Sequence, residues 1–240
     1  MSDIVVKANS EDVGLRREST LDVGALPLWL ARLHRALPVD ATVRVTMRGD
    51  LPVAKDVLIE GAGFSTDADK LVRERTLPDM LSPGLRAVMV GLNPSVRSAD
   101  AGYGFAGPGN RFWDAAVEAG LLTEVRKPEQ AMIHESVGFT DLVKRATARA
   151  NEISAAEYRS GLVRLNLALG WIAPKIVIVA GLTGWRHATG EKRAAGWQPS
   201  TLGGRPVYLM PNPSGLNAST SLDDLVAHLR TALQGPPSAH

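Results

Sequence analysis

From Arg86 onward, short apolar runs rich in β-branched residues alternate with stretches of helical periodicity, and that alternation restricts the fold more than any other feature of the chain. Strands are expected at Arg86 to Leu92, Lys175 to Ala180 and Pro206 to Met210, and helices at Asn110 to Ala119, Ala155 to Leu169 and Leu222 to Leu233. Ser221 precedes the last helix as a candidate N-cap, with Asp224 three residues on as an imperfect capping box, and Gly235-Pro236-Pro237 ends it. Such an order predicts a parallel sheet covered by helices.

Two of these strands run into the same tripeptide, Asn93-Pro94-Ser95 after one and Asn212-Pro213-Ser214 after the other. Parallel strands would bring both loops to one sheet edge, where open α/β sheets bind ligands, so one site built from two halves is expected. The first loop, Gly91 to Trp113, holds five glycines and two prolines, a length and composition typical of functional loops. Within it Phe105 lies among Tyr103, Gly104 and Ala106, so its ring either stacks on a flat ligand or plugs the core beneath the loop. Asn93 can orient a water molecule but cannot deprotonate it strongly, which suits a bond whose leaving group departs readily, such as a nucleoside N-glycosidic bond. An Asn-Pro turn at a strand end is the structural alternative. Gly215-Leu216 at the tip of the second loop offers either a wedge for a nucleic-acid duplex or a leucine folded back into the core.

Composition narrows the chemistry further. At 240 residues and 45% hydrophobic content the chain can bury a substantial core, as one domain or as one with a small appendage. It has no cysteine, which excludes disulfides, thiolate zinc sites and cysteine-ligated iron-sulfur clusters. The five histidines show no ligand-like spacing, so a metal enzyme is not expected. No signal segment and no apolar run of roughly 18 residues is visible, which predicts a cytoplasmic protein without membrane contact. Residues 1–70 carry 9 Lys and Arg against 11 Asp and Glu, and the remainder 18 against 14. That mild basic excess in the second part permits a surface facing nucleic acid.

Ahead of the alternating region, residues 1–24 are polar and aperiodic and are expected to form a flexible N-terminus. Leu26, Leu30, Leu33 and Leu37 stand at helical spacing until Pro38, the β-branched run ATVRVTM follows, and VAKDVLIEGAGF predicts a short helix ending at glycines. The charged stretch DADKLVRER marks a boundary near residue 70. Residues 25–70 then form an accessory module, faintly like the tail half of a Rossmann-type methyltransferase but without its glycine-rich nucleotide loop, or else a cover for an exposed sheet edge.

The motifs VGLNPS, GYGFAGPGNRFW, ARANEIS and PNPSGLN, in that order over roughly Leu77 to Leu233, resemble the mismatch-specific uracil-DNA glycosylases, bacterial relatives of thymine-DNA glycosylase. The resemblance implies a three-layer α/β/α sandwich with a mostly parallel central sheet over residues 71–234; outside it lie the small N-terminal α+β appendage and a short tail at 235–240. It implies a monofunctional hydrolase that flips uracil, or another damaged or mismatched pyrimidine, from double-stranded DNA, working as a monomer without metal or cofactor. Asn93 would orient the hydrolytic water, and Leu92, Ser95, Phe105 and Asn110 would bind the base. Asn212, Pro213, Ser214, Gly215, Leu216 and Asn217 would form the loop that enters the duplex, with Leu216 as the wedge. Three departures stand out: Ser95 where the family commonly has glycine, Asn217-Ala218 where it often has Ser-Arg, and Asp141 where a relative would carry lysine, an acid near a phosphate track that Lys144 or Arg145 would offset. A catalytically weak protein that binds lesions or abasic sites is the alternative reading.

Overall fold

The structure is a computed structural model that describes residues 2–215, 217 and 219–237. A five-stranded sheet is built from β6 (Ala87–Gly91), β7 (Val137–Asp141), β8 (Ile176–Ala180), β9 (Gly196–Leu202) and β10 (Arg205–Met210), in the order β7-β6-β8-β10-β9. The pairs β6/β7, β6/β8 and β8/β10 are parallel, and β9 is antiparallel to β10. Every residue of β6 and of β8 is buried, because helices cover both faces of the sheet. Val88, Val90, Val177, Val179, Val207 and Leu209 face one helical layer, α6 (Ala155–Ile172) and α7 (Leu182–Thr189). Met89, Ile178, Tyr208 and Met210 face the other, chiefly α4 (Phe112–Glu118) and α8 (Leu222–Leu233). The result is the expected three-layer α/β/α sandwich.

Local capping fixes where its helices start. Ser154 and Glu157 form a reciprocal capping box at α6, and Ser221 and Asp224 form one at α8 despite the shorter acid. Inside the glycine-rich first loop lies α3 (Val96–Ala101), capped by Ser95 and closed by Gly102 in the left-handed conformation. Neither α3 nor β7 is marked by the sequence pattern, and α5 (Pro128–Glu135), α7 and β9 are unmarked as well.

The N-terminal region departs most from expectation. Residues 1–24 are not a flexible tail over their described part: β1 (Asp3–Ser10) and β2 (Leu15–Asp22) pair along their full length. With β3 (Thr42–Arg48), β4 (Phe64–Asp67) and β5 (Lys70–Arg73) they make a second five-stranded sheet, β2-β1-β3-β5-β4. All its pairings are antiparallel, unlike a Rossmann sheet, and the DADKLVRER stretch, expected to mark a boundary, supplies the β4/β5 hairpin. Alternation explains the miss: β1 buries Ile4, Val6, Ala8 and Ser10 and turns Asp3, Lys7 and Asn9 outward, so its only apolar run is the short Ile4-Val5-Val6. α1 (Leu26–Ala36) and α2 (Lys55–Gly61) cover the inner face with Leu26, Leu30, Leu33, Leu58 and Ile59. The strap after β5 reaches the other sheet, where Met80 and Phe139 exchange backbone hydrogen bonds of 2.8 and 3.0 Å and close the outer edge of β7. No helix among the described residues is long and apolar enough to cross a membrane.

Candidate active site

At the carboxyl end of β6 the chain turns through Leu92, Asn93 and Pro94. The Asn93 amide nitrogen donates to Thr147 Oγ1 at 2.8 Å and to the carbonyls of Arg145 and Pro94 at 3.1 Å each. Three acceptors on one side of the amide fix its orientation, and among the described residues nothing donates to Oδ1. Thr147 is itself oriented, its hydroxyl donating to the Arg149 carbonyl at 2.9 Å. Segment 142–147 runs beside the turn and is laced to it: Leu142 N to Gly91 O, Val143 N to Leu92 O, Thr147 N to Pro94 O and Val96 N to Thr147 O. Asn93 is thus a clamped amide with an acceptor left over, able to hold a water molecule but not to remove its proton. Leu92 turns its side chain into the core, so it can reach a ligand only through its backbone.

Ser95 does not project freely into the site. Its hydroxyl accepts from Ser98 N at 3.1 Å and donates to Ser98 Oγ at 3.0 Å, and Ser98 Oγ accepts from Ala106 N at 3.2 Å. The serine therefore ties the first turn to the segment carrying Phe105. Phe105 has φ 60°, a left-handed backbone that costs a bulky residue about 1–3 kcal/mol and is held only where its surroundings fix it. Its ring stacks on Phe112 with centroids 4.2 Å apart. Trp113 Nε1 donates to Gly104 O at 3.0 Å and steadies the same bend. Asn110 accepts from Phe112 N at 3.0 Å, a cap at the start of α4.

The second loop meets the first. A Cβ on Gly215 would lie 2.8 Å from Gly109 O, so the two backbones touch. Asn212 Oδ1 accepts from Ser214 N at 3.0 Å, and Asn217 Nδ2 donates to Asn212 O and to Thr220 Oγ1, each at 3.0 Å. Arg111, unmarked within NRFW, gathers this loop: its guanidinium donates to the carbonyls of Ser214, Asn217 and Thr220, and its backbone N to Pro213 O. Leu216 and Ala218 lie outside the described residues.

Asp141, expected beside a phosphate track, stands half-buried at the carboxyl end of β7, in register with Gly91. A Cβ on Gly91 would stand 2.3 Å from Asp141 Oδ1 and 3.9 Å from Phe105 Cζ, so a glycine is required for the carboxylate to sit there, and Asp141 and Phe105 line one cavity. Burial pushes the Asp141 carboxyl up to about 6 against the pull of Lys144, with Asp79 adding to the rise. The neighbouring cations do not serve as free phosphate ligands: Lys144 Nζ is buried 2.8 Å from Asp79, and Arg145 pairs with Glu157 at 2.7 Å. No cluster of three or more His, Cys, Asp or Glu that could hold a metal occurs among the described residues.

The family model of the uracil DNA glycosylase superfamily matches residues 78–234. This chain belongs to that superfamily. It is therefore a hydrolytic DNA glycosylase in general terms, a protein that acts on DNA. A solution structure of a candidate uracil DNA glycosylase from Methanosarcina acetivorans is similar at 18% identity and a TM-score of 0.44, over 67% of this chain and 98% of that one. The glycosylase region of the match begins inside the strap and takes in both Asn-Pro-Ser loops, while the antiparallel N-terminal sheet lies wholly outside it.

Proposed function

We propose that the protein removes uracil, and mismatched pyrimidines more generally, from duplex DNA by hydrolysis of the N-glycosidic bond. The observation that carries this reading is the Asn93 amide, clamped through its nitrogen by Thr147 and Arg145 with Oδ1 left to orient water. Phe112 covers one face of Phe105, and the other face would receive a base rotated out of the helix. The C1′–N1 bond breaks with its electron pair leaving on the base. Water held by Asn93 adds to C1′ and gives up a proton, and the products are an abasic site and the free base. Backbone N–H groups near Ser95 and Phe105 would stabilise the departing anion.

The second loop, which begins at Asn212 and includes Leu216 in its sequence, would fill the space left by the base. Because Asn212 is neutral, extrusion would rely on a pair already weakened, such as G:U or G:T. No lysine lies in either loop, so no covalent imine with the sugar is expected. The test is single-turnover excision on duplexes containing G:U, A:U or G:T and on single-stranded uracil, with Asn93→Ala beside the wild type. We expect the variant to lose about 10²-fold or more in rate while its affinity for duplex stays within about threefold. Equal loss of binding would make Asn93 structural. Tight binding to abasic duplex with no excision by the wild type would replace this reading with a lesion-binding role.

A further inference from the structure

The N-terminal module touches the glycosylase region where the two working segments are held. Arg35 of α1 donates to Gly102 O at 3.2 Å, the residue that closes α3 ahead of Phe105. Arg75 in the strap grips Asp100 of α3 through two bonds, at 2.7 and 2.6 Å. Thr76 donates to the Lys144 carbonyl, and Asp79 binds the Lys144 ammonium at 2.8 Å. Lys144 is therefore fixed at both ends, and the next residue supplies one of the carbonyls that clamp Asn93. Asp79 is held in turn by the module, its backbone N donating to the Gly61 carbonyl at the end of α2 at 2.8 Å. The approach is close: a Cβ on Gly61 would lie 2.6 Å from Asp79 Oδ2.

We propose that the N-terminal module and its strap position the active site, with Thr76 and Asp79 setting the segment that clamps Asn93, and Arg35 and Arg75 setting the bend that presents Phe105. The inference rests on the catalytic reading of Asn93 and Phe105. It makes Arg35, Arg75 and Thr76 positioning residues for excision, although all three precede the region matched to the family. Misplacement by about 1 Å is enough to cost a large factor in rate, whereas exposed ion pairs such as Arg75 with Asp100 contribute little to stability, so rate and folding separate.

The experiment compares wild type, Asn93→Ala, the double variant Arg35→Ala/Arg75→Ala, Thr76→Val and Thr76→Ser, all as the full chain. Excision is measured under single-turnover conditions at saturating enzyme, with duplex affinity and thermal midpoint measured beside it. We expect the double variant and Thr76→Val to lose about tenfold or more in rate, with affinity for duplex within about twofold and thermal midpoints close to wild type for the double variant. Thr76→Ser, which keeps the hydroxyl, should restore the rate. Wild-type rates in the double variant and in Thr76→Val, with Asn93→Ala inactive, would overturn the inference and leave the glycosylase reading standing. A fully active Asn93→Ala would overturn both.

Discussion

Asp141 is the residue whose charge bears most directly on the proposed chemistry, because a pyrimidine leaves as an anion and this carboxyl lines the same cavity as Phe105. Burial raises it to about 6, so it is largely ionised at neutral pH and largely neutral in mild acid. A carboxylate there opposes negative charge growing on the base; a protonated carboxyl does not. We therefore expect Asp141→Asn to excise uracil faster than wild type by roughly tenfold near pH 8, and by little near pH 5, as a repulsion of one to two kcal/mol would give. A pH series of single-turnover rates on both proteins checks it, and parallel profiles would remove Asp141 from the chemistry. Nothing in GFTDLVKR marks this residue as facing inward; only the parallel register of β7 with β6 brings it to Gly91.

Among the elements, α1 carries a buried titratable group. His34 is buried with Nε2 3.0 Å from Glu74 O, and burial, aided by Arg73, depresses its imidazolium to about 3. The unfolded chain therefore binds a proton that the folded chain refuses between about pH 6.5 and 3. Stability from this group is complete above the upper value and falls as pH drops through the window, by at most about 1.4 kcal/mol for each pH unit. Replacing His34 with Gln should flatten the pH dependence of the unfolding midpoint across that range, and an unchanged slope would place the acid sensitivity elsewhere. The same helix was legible from its leucine spacing, as were α6, α8, β6, β8 and β10 from theirs. β1 and β2 were not, since a sheet with one wet face alternates apolar with polar residues and resembles an unstructured tail. α3 was hidden among glycines, and its cap uses the Ser95 that reads as an intrusion where glycine is common. Asn93 and Phe105 were singled out from the sequence, but the residues that orient them, Thr147 and Ser98, carry no signal until the chain is folded.

For the whole molecule, the decisive unit is the buried group of Asp79, Lys144, Arg164 and Thr140 between the strap, β7 and α6. Burial pushes the Asp79 carboxyl up, but Lys144 and Arg164 outweigh it and hold it below the usual carboxylate range. Asp79→Asn would leave two buried cations facing a neutral amide, and we expect a loss of about 3 kcal/mol or more in unfolding free energy by denaturant titration. A change under about 1 kcal/mol would mean that water reaches the group. This placement also bears on how such a protein can be divided. The family likeness begins at residue 78, between Thr76, which holds the carbonyl of Lys144, and Asp79, which holds its ammonium. A graft of the superfamily region cut at that line would sever one grip on the lysine and keep the other, so the unit of inheritance and the unit of mechanics do not share a border in this chain.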